Sequence, residues 1–263
     1  MLNLEALSSL RLIDLSVSLE HEAAGEMEQP KIEYVDHEAG GATMAAIFGC
    51  AREDLLYSNG GGWAVENVTA SSHCGTHVDA PYHYGATSGG APAKRIDDIP
   101  LEWCFGPGVV IDVRHKKPGD MIAVDDLKAA LQRVEYQLKA GDIVLLHTGA
   151  SERWGSKAYF EQPGLGREST LWLVEQGIRV IGIDAWTLDR AFSDMIADFK
   201  RTGDGSVIWP SHYAGIMREY CQIEKLANLD RIPIPYGFYV SCLPVKIKGA
   251  SAGWCRAVAL VPR

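Results

Sequence analysis

The sequence predicts an α/β domain built on a mixed sheet. Strands alternate with helices through the middle of the chain, strands follow one another directly at both ends, and the central apolar runs are short and continuous. With 263 residues, 47% of them hydrophobic, the chain can bury a substantial core, so residues 1–263 read as one elaborated domain.

Residues 11–19 mix apolar and small polar residues in strand fashion. Residues 20–41 are acidic and turn-rich, and His21 and His37 read there as solvated side chains. A short strand is expected over Ala42–Phe48. Gly60-Gly61-Gly62 cannot hold regular structure and reads as a mobile arm presenting Trp63, a candidate substrate-binding aromatic. Trp63–Ser72 is patterned as a strand that delivers the segment after it. Ala86–Ala93 is small and flexible, order resumes at Ile96–Pro100, and the β-branched run Gly108–Val113 is a central strand.

The clearest helix spans about Ala123–Lys139. Leu127, Leu131, Val134 and Leu138 share one face, Asp125 and Asp126 lie in the first turn, and Gly141 follows the end. Asp142–Thr148 is a buried strand with His147 as a core or rim histidine. Pro163, Gly164 and Gly166 mark a loop, Ser169–Gln176 is a helix stopped by Gly177, and Ile178–Ile183 is the next strand. Residues 190–210 carry Phe192, Met195, Phe199 and Trp209, which suit packing, an oligomer contact or a lid over an aromatic substrate. A helix is expected from His212 to Tyr220, with Glu224 in the following strand. Phe238–Val245 and Trp254–Val261 alternate as terminal strands.

The chemistry concentrates in His73-Cys74-Gly75-Thr76-His77-Val78-Asp79-Ala80-Pro81-Tyr82-His83. Three of the chain's eight histidines and a carboxylate fall in this one segment. Gly75 is costly inside a helix and Pro81 would remove a helical hydrogen bond, so a strand end and turn are expected. In extended backbone His77 and Asp79 point the same way, with His73 and Gly75 on the same parity. A lone histidine is more often a hydrogen-bonded structural residue, but imidazoles and a carboxylate gathered in one turn suit zinc, manganese or iron and are too nitrogen-rich for calcium or magnesium. Cys74, between these positions, reads as a small buried filler.

A net charge of −9 argues against nucleic acid or an anionic membrane as partner. The start Met-Leu-Asn-Leu-Glu has no basic leader region and no apolar run approaches a membrane span, so a cytoplasmic protein is expected. Six scattered cysteines without Cys-x-x-Cys read as buried thiols.

The run His73-x-Gly75-Thr76-His77-x-Asp79-x-Pro81-x-His83 resembles the signature of the metal-dependent cyclase superfamily, which includes bacterial kynurenine formamidase and isatin hydrolase. His212 and the block Ile223-Glu224-x-Leu226-x-Asn228-Leu229-Asp230 are similar to the family's second ligand block, and weaker matches run through nearly the whole chain. The resemblance implies a swivelling β/β/α-type single domain with a mixed, barrel-like central sheet. It implies His73, His77 and Asp79 as metal ligands, His212 and Glu224 as ligands completing a second-metal site where one exists, and His83 as the proton donor and acceptor. Lys225 departs from the formamidases' Glu-Asn-Leu, and its ammonium would oppose a second cation if it approached the site.

A divalent ion with an open position lowers the pKa of bound water from 15.7 toward roughly 7 and polarises a carbonyl. One catalytic ion is favoured over two, manganese over zinc. The implied activity is hydrolysis of a C–N amide bond in a small aromatic or cyclic amide, isatin opening to isatinate first, with N-formylkynurenine or a lactone as alternatives. A homo-oligomer is implied as well. A catalytically silent metal-binding or assembly protein is the non-enzyme alternative, and it has no evident use for His83.

Overall fold

The computed structural model describes residues 9–263; the opening segment Met1–Glu5, expected to carry no leader, lies outside the described residues. Strand β1 (Leu10–Asp14) is shorter than the run expected over 11–19. The acidic stretch folds as β2 (Lys31–Val35) and helix α1 (His37–Phe48), and β3 (Val65–Thr69) returns to pair antiparallel with β2. Ala42–Phe48 is therefore helical where a strand was expected. Asp36 accepts the Ala39 N–H at 2.9 Å as N-cap and Gly49 closes the helix at φ 64°. Backbone contact also contributes: a Cβ on Gly40 would lie 1.8 Å from the Trp63 carbonyl oxygen. The Gly60–Gly62 run consequently packs on α1, with Gly62 N–H donating to the His37 carbonyl at 2.8 Å, instead of forming a loose arm. His21 and His37 are also bound, His21 Nδ1 accepting the Ile32 N–H and His37 Nδ1 meeting the Gly62 carbonyl.

Strand β4 (His77–Asp79) leads into the short helix α2 (Pro81–Tyr84), where Pro81 occupies the first turn and its missing N–H costs nothing. Ala86–Ala93 is ordered as a hairpin of β5 (Thr87–Ser88) and β6 (Ala91–Pro92). The middle of the chain alternates as expected: β7 (Phe105–Asp112), β8 (Met121–Ile122), α3 (Val124–Arg133), β9 (Ile143–His147), β10 (Gly164–Leu165), α4 (Arg167–Glu175) and β11 (Val180–Ile183). Helix α3 stops short of Lys139 because Glu135 turns the chain at φ 53°, and Tyr136 and Leu138 reach the core from a loop. Next come α5 (Phe192–Thr202), α6 (Pro210–Met217, begun two residues before His212), β12 (Cys221–Glu224) and β13 (Tyr236–Ser241). The single strand expected over Trp254–Val261 is split into β14 (Ala252–Trp254) and β15 (Val258–Pro262).

That split shapes the molecule. The main sheet has nine strands in the order β1-β15-β13-β7-β9-β11-β12-β4-β14, parallel from β7 to β12 and antiparallel at both flanks. Strands β15 and β14 are second and ninth in that order. In a flat sheet with strands about 4.8 Å apart they would stand roughly 34 Å from each other. Only Cys255, Arg256 and Ala257 join them, a reach of about 14 Å at full extension. The sheet must curl until its edges approach, and it does: Ser16 bridges Leu226, Val17 N–H donates to Thr76 Oγ1 at 2.9 Å, and Cys255 N–H donates to the Thr76 carbonyl. The fold is a mixed α/β domain with a curled, barrel-like sheet.

Alternation along the central strands divides the core. Ile143, Leu145, Val180 and Ile223 point into the curl, where they meet Ile13, Val78, Phe238 and Val240. Val144, Leu146, Ile181 and Ile183 point outward against Leu127, Leu131, Leu173 and Val174 of α3 and α4. All six cysteines are free, five of them buried and Cys50 half-buried. Among the described residues no helix is long and apolar enough to cross a membrane.

Candidate metal centre

Val78 belongs to the inner core, so its neighbours His77 and Asp79 must face the other way. Strand β12 runs antiparallel beside β4 with Glu224 opposite His77 and Gln222 opposite Asp79. Strand pairing thus sets the buried carboxylate of Glu224 beside His77 and the buried amide of Gln222 beside Asp79, although they lie far apart in sequence. The turn before β4 is closed by Gly75 at φ 60°, a conformation that a side chain would strain.

Two groups converge on Asp79. His77, Asp79 and Glu224 form one, all buried, and His73, Asp79 and His83 form the other. His77 Nε2 lies 3.2 Å from Asp79 Oδ1 and 3.7 Å from Glu224 Oε2. His212 Nε2 lies 3.7 Å from Glu224 Oε1, and His73 Nδ1 lies 2.8 Å from Asp79 Oδ1. The structure therefore brings His73, His77, Asp79, His83, His212 and Glu224 together in space. Trp63 makes no ring contact with them among the described residues, where the rings packed around His83 are His73, Tyr84, Trp209 and His212.

Protonation follows from the outer partners. His77 Nδ1 faces the Gly75 carbonyl at 2.9 Å, which only accepts, so Nδ1 carries a proton, and a neutral ring would then offer a bare Nε2. His212 Nδ1 likewise faces Asp189 Oδ2, and its Nε2 points toward Glu224. His77 Nε2 and both Asp79 oxygens are buried without an aligned hydrogen bond. Lone pairs directed at one another in a dry pocket are unstable unless a cation lies between them. Imidazole nitrogen and carboxylate oxygen are the donor set of a divalent transition metal, and the residues fit one.

Charges here are strongly linked. Burial works to raise the Asp79 pKa, but His83, His77 and His73 overcome it and hold the carboxyl well below the usual range. Burial, followed by the Asp79 charge, pushes Glu224 up against the pull of His212. For His212 and His73 burial acts downward, yet the carboxylates of Asp189 and Asp79 respectively reverse the direction. His83 falls to about 4, chiefly through burial, with His73, His212 and His77 adding to the fall and Asp79 opposing it.

Several supporting residues escaped the sequence reading. Asp189 accepts from His212 and from Ser211 N–H, and the only cue to it was an acidic residue after the end of a parallel strand, where such folds gather functional groups. Glu26, from the supposedly solvated acidic stretch, is buried; it accepts the Gly75 N–H at 2.6 Å and pairs with Lys225 Nζ at 2.5 Å. Lys225 also donates to the His73 carbonyl at 2.7 Å, so its charge is neutralised behind the ligand turn.

Manganese or zinc added to chelator-treated protein is expected to raise the thermal midpoint, in proportion to about 2.7 kcal/mol at a hundredfold excess over Kd. Asp79→Asn, which keeps shape and removes charge, is expected to fold and to lose that rise; scanning fluorimetry with and without the ion checks both.

Fold and site define a curled-sheet α/β protein with a buried histidine–carboxylate centre that suits a divalent metal. The chain belongs to the Cyclase family, whose model matches residues 13–190. It is 30% identical to the kynurenine formamidase of Geobacillus thermodenitrificans over 196 residues, 73% of this chain and 78% of that one. It is 26% identical to the isatin hydrolase of Roseibium aggregatum over 222 residues, 78% of each. Isatin hydrolase A from Ralstonia solanacearum superposes with a TM-score of 0.73 at 26% identity, covering 98% of this chain and 94% of that one.

Proposed function

We propose that the chain is a metal-dependent hydrolase that cleaves a C–N amide bond in a small cyclic or aromatic amide, isatin opening to isatinate being the leading substrate. The observation that carries the proposal is the buried convergence of His77 Nε2, Asp79 and Glu224, with no aligned hydrogen bond at His77 Nε2 or Asp79 among the described residues and with His83 in the second group that shares Asp79. His77, Asp79 and Glu224, with His212 adjacent, are the residues that would hold one ion, manganese favoured and zinc the alternative. When bound, the ion supplies a Lewis acid for the carbonyl and acidifies water.

The chain's own residues do the rest. His83 is neutral near pH 7, so it can take the proton of the attacking water and afterwards give it to the departing nitrogen. Trp209 and Tyr84 pack edge-on to His83 and exclude bulk water from it. Segment 190–210, through α5 and Trp209, acts as a wall or lid over the substrate. The proposal includes a cytoplasmic homo-oligomer, with Trp63 offered to the substrate of a neighbouring copy.

The likeness to kynurenine formamidase at 30% identity favours hydrolysis of N-formylkynurenine as the second reading. A lactone would meet the same groups, and a silent metal-binding protein would leave His83 without a task. Steady-state assays on isatin, N-formylkynurenine and an aryl lactone with manganese-loaded protein are expected to give the highest kcat/KM for isatin. Turnover of N-formylkynurenine without isatin opening would transfer the assignment to arylformamidase.

A further inference from the structure

Trp209 occupies an unusual position. Its ring lies parallel to His212, with centroids 4.1 Å apart and 10° between the planes, and edge-on to His83 at 5.3 Å. Its other surroundings are the apolar groove of about 500 Å³ formed with Phe192, Met195, Ile196, Phe199 and Ile208. The residue therefore stands between a ligand candidate and an apolar recess large enough for an aromatic group.

Two features are unexplained by packing. The backbone of Trp209 is left-handed, φ 53° and ψ 43°, immediately before Pro210, a combination unfavourable for a bulky residue and for any residue preceding proline. It is held there by its own N–H donating to Met195 Sδ at 3.3 Å and by the stack on His212. Strain of this kind persists where the surroundings over-determine it. The indole Nε1–H, moreover, is buried and has no acceptor among the described residues. Phenylalanine would stack on His212 as well and would carry no orphaned donor.

We propose that Trp209 is a specificity-determining residue whose indole N–H donates to an acceptor oxygen of the bound substrate or its carboxylate product. The assignment rests on the small-amide reading above. The left-handed turn positions the indole, the stack on His212 fixes its plane beside the centre, and the apolar α5 groove backs its other side. A ligand with an oxygen at that point is accepted, and one without it leaves the donor unpaired.

The test uses the whole protein loaded with zinc, which is diamagnetic, and labelled with ¹⁵N. Seven tryptophans give seven indole cross-peaks, and Trp209→Phe identifies one by its loss. On titration with isatinate that peak is expected to move downfield, and Trp209→Phe is expected to bind isatinate about 10-fold more weakly at unchanged zinc content and thermal midpoint. If other peaks of the site move while the Trp209 peak stays, or if Trp209→Phe binds isatinate as tightly as the parent, the indole is packing only and the proposal is overturned. If no peak responds to isatinate, nor to kynurenine with formate, the small-amide reading fails and takes this assignment with it.

Discussion

Replacing His83 by alanine is expected to lower kcat by about 10²–10⁴-fold, the range for loss of a general acid–base group, with metal content unchanged. Two groups of side chains share Asp79. If the ion is held by His77, Asp79 and Glu224, then His83 contributes no bond to it and its removal leaves the ion in place. His83 is free to move a proton because burial and three neighbouring imidazoles keep it unprotonated, its pKa down at about 4. Elemental analysis of the variant separates proton transfer from ligation. A fall in bound metal equal to the fall in activity would make His83 a ligand of the second group, and unchanged turnover would remove its catalytic role.

Lys225→Met is expected to destabilise the protein by about 3–5 kcal/mol, because it leaves Glu26 as an unpaired carboxylate in a dry site. Both side chains of the pair are 4% exposed, so water cannot take the place of the ammonium. The loss reaches the site because Glu26 also accepts from Gly75 N–H, and Lys225 also holds the His73 carbonyl. The double variant Glu26→Gln/Lys225→Met is expected to recover most of the stability, since a glutamine oxygen can still accept from Gly75 without carrying charge. Urea unfolding of the parent, the two single variants Glu26→Gln and Lys225→Met, and the double variant measures the pair. Additive losses would show that the two groups do not act together.

The local features of the sequence were informative wherever residues close in the chain settle the structure. Gly75 and Pro81 exclude a helix and the structure has a turn, β4 and a proline-started helix there. The central strands were visible because both of their faces are apolar. Helix α1 was hidden because its caps and its glycine contact with Gly60–Trp63 leave little trace in apolar spacing. Helix α3 was overextended because Leu138 still reaches the core after the chain has left the helix at Glu135.

By itself the sequence determined the histidine-rich turn, its donor chemistry and the neighbouring His83, since these depend on spacing within one short segment. The tertiary structure decided what faces that turn: Glu224 across the strand pair, His212 held by Asp189, Trp209 over the ring, and Glu26 with Lys225 behind. The physical reason is the curl forced by the short link between β14 and β15. Contacts across a closing sheet are fixed by strand order and by the burial of both its faces, quantities of the whole chain that no local spacing contains.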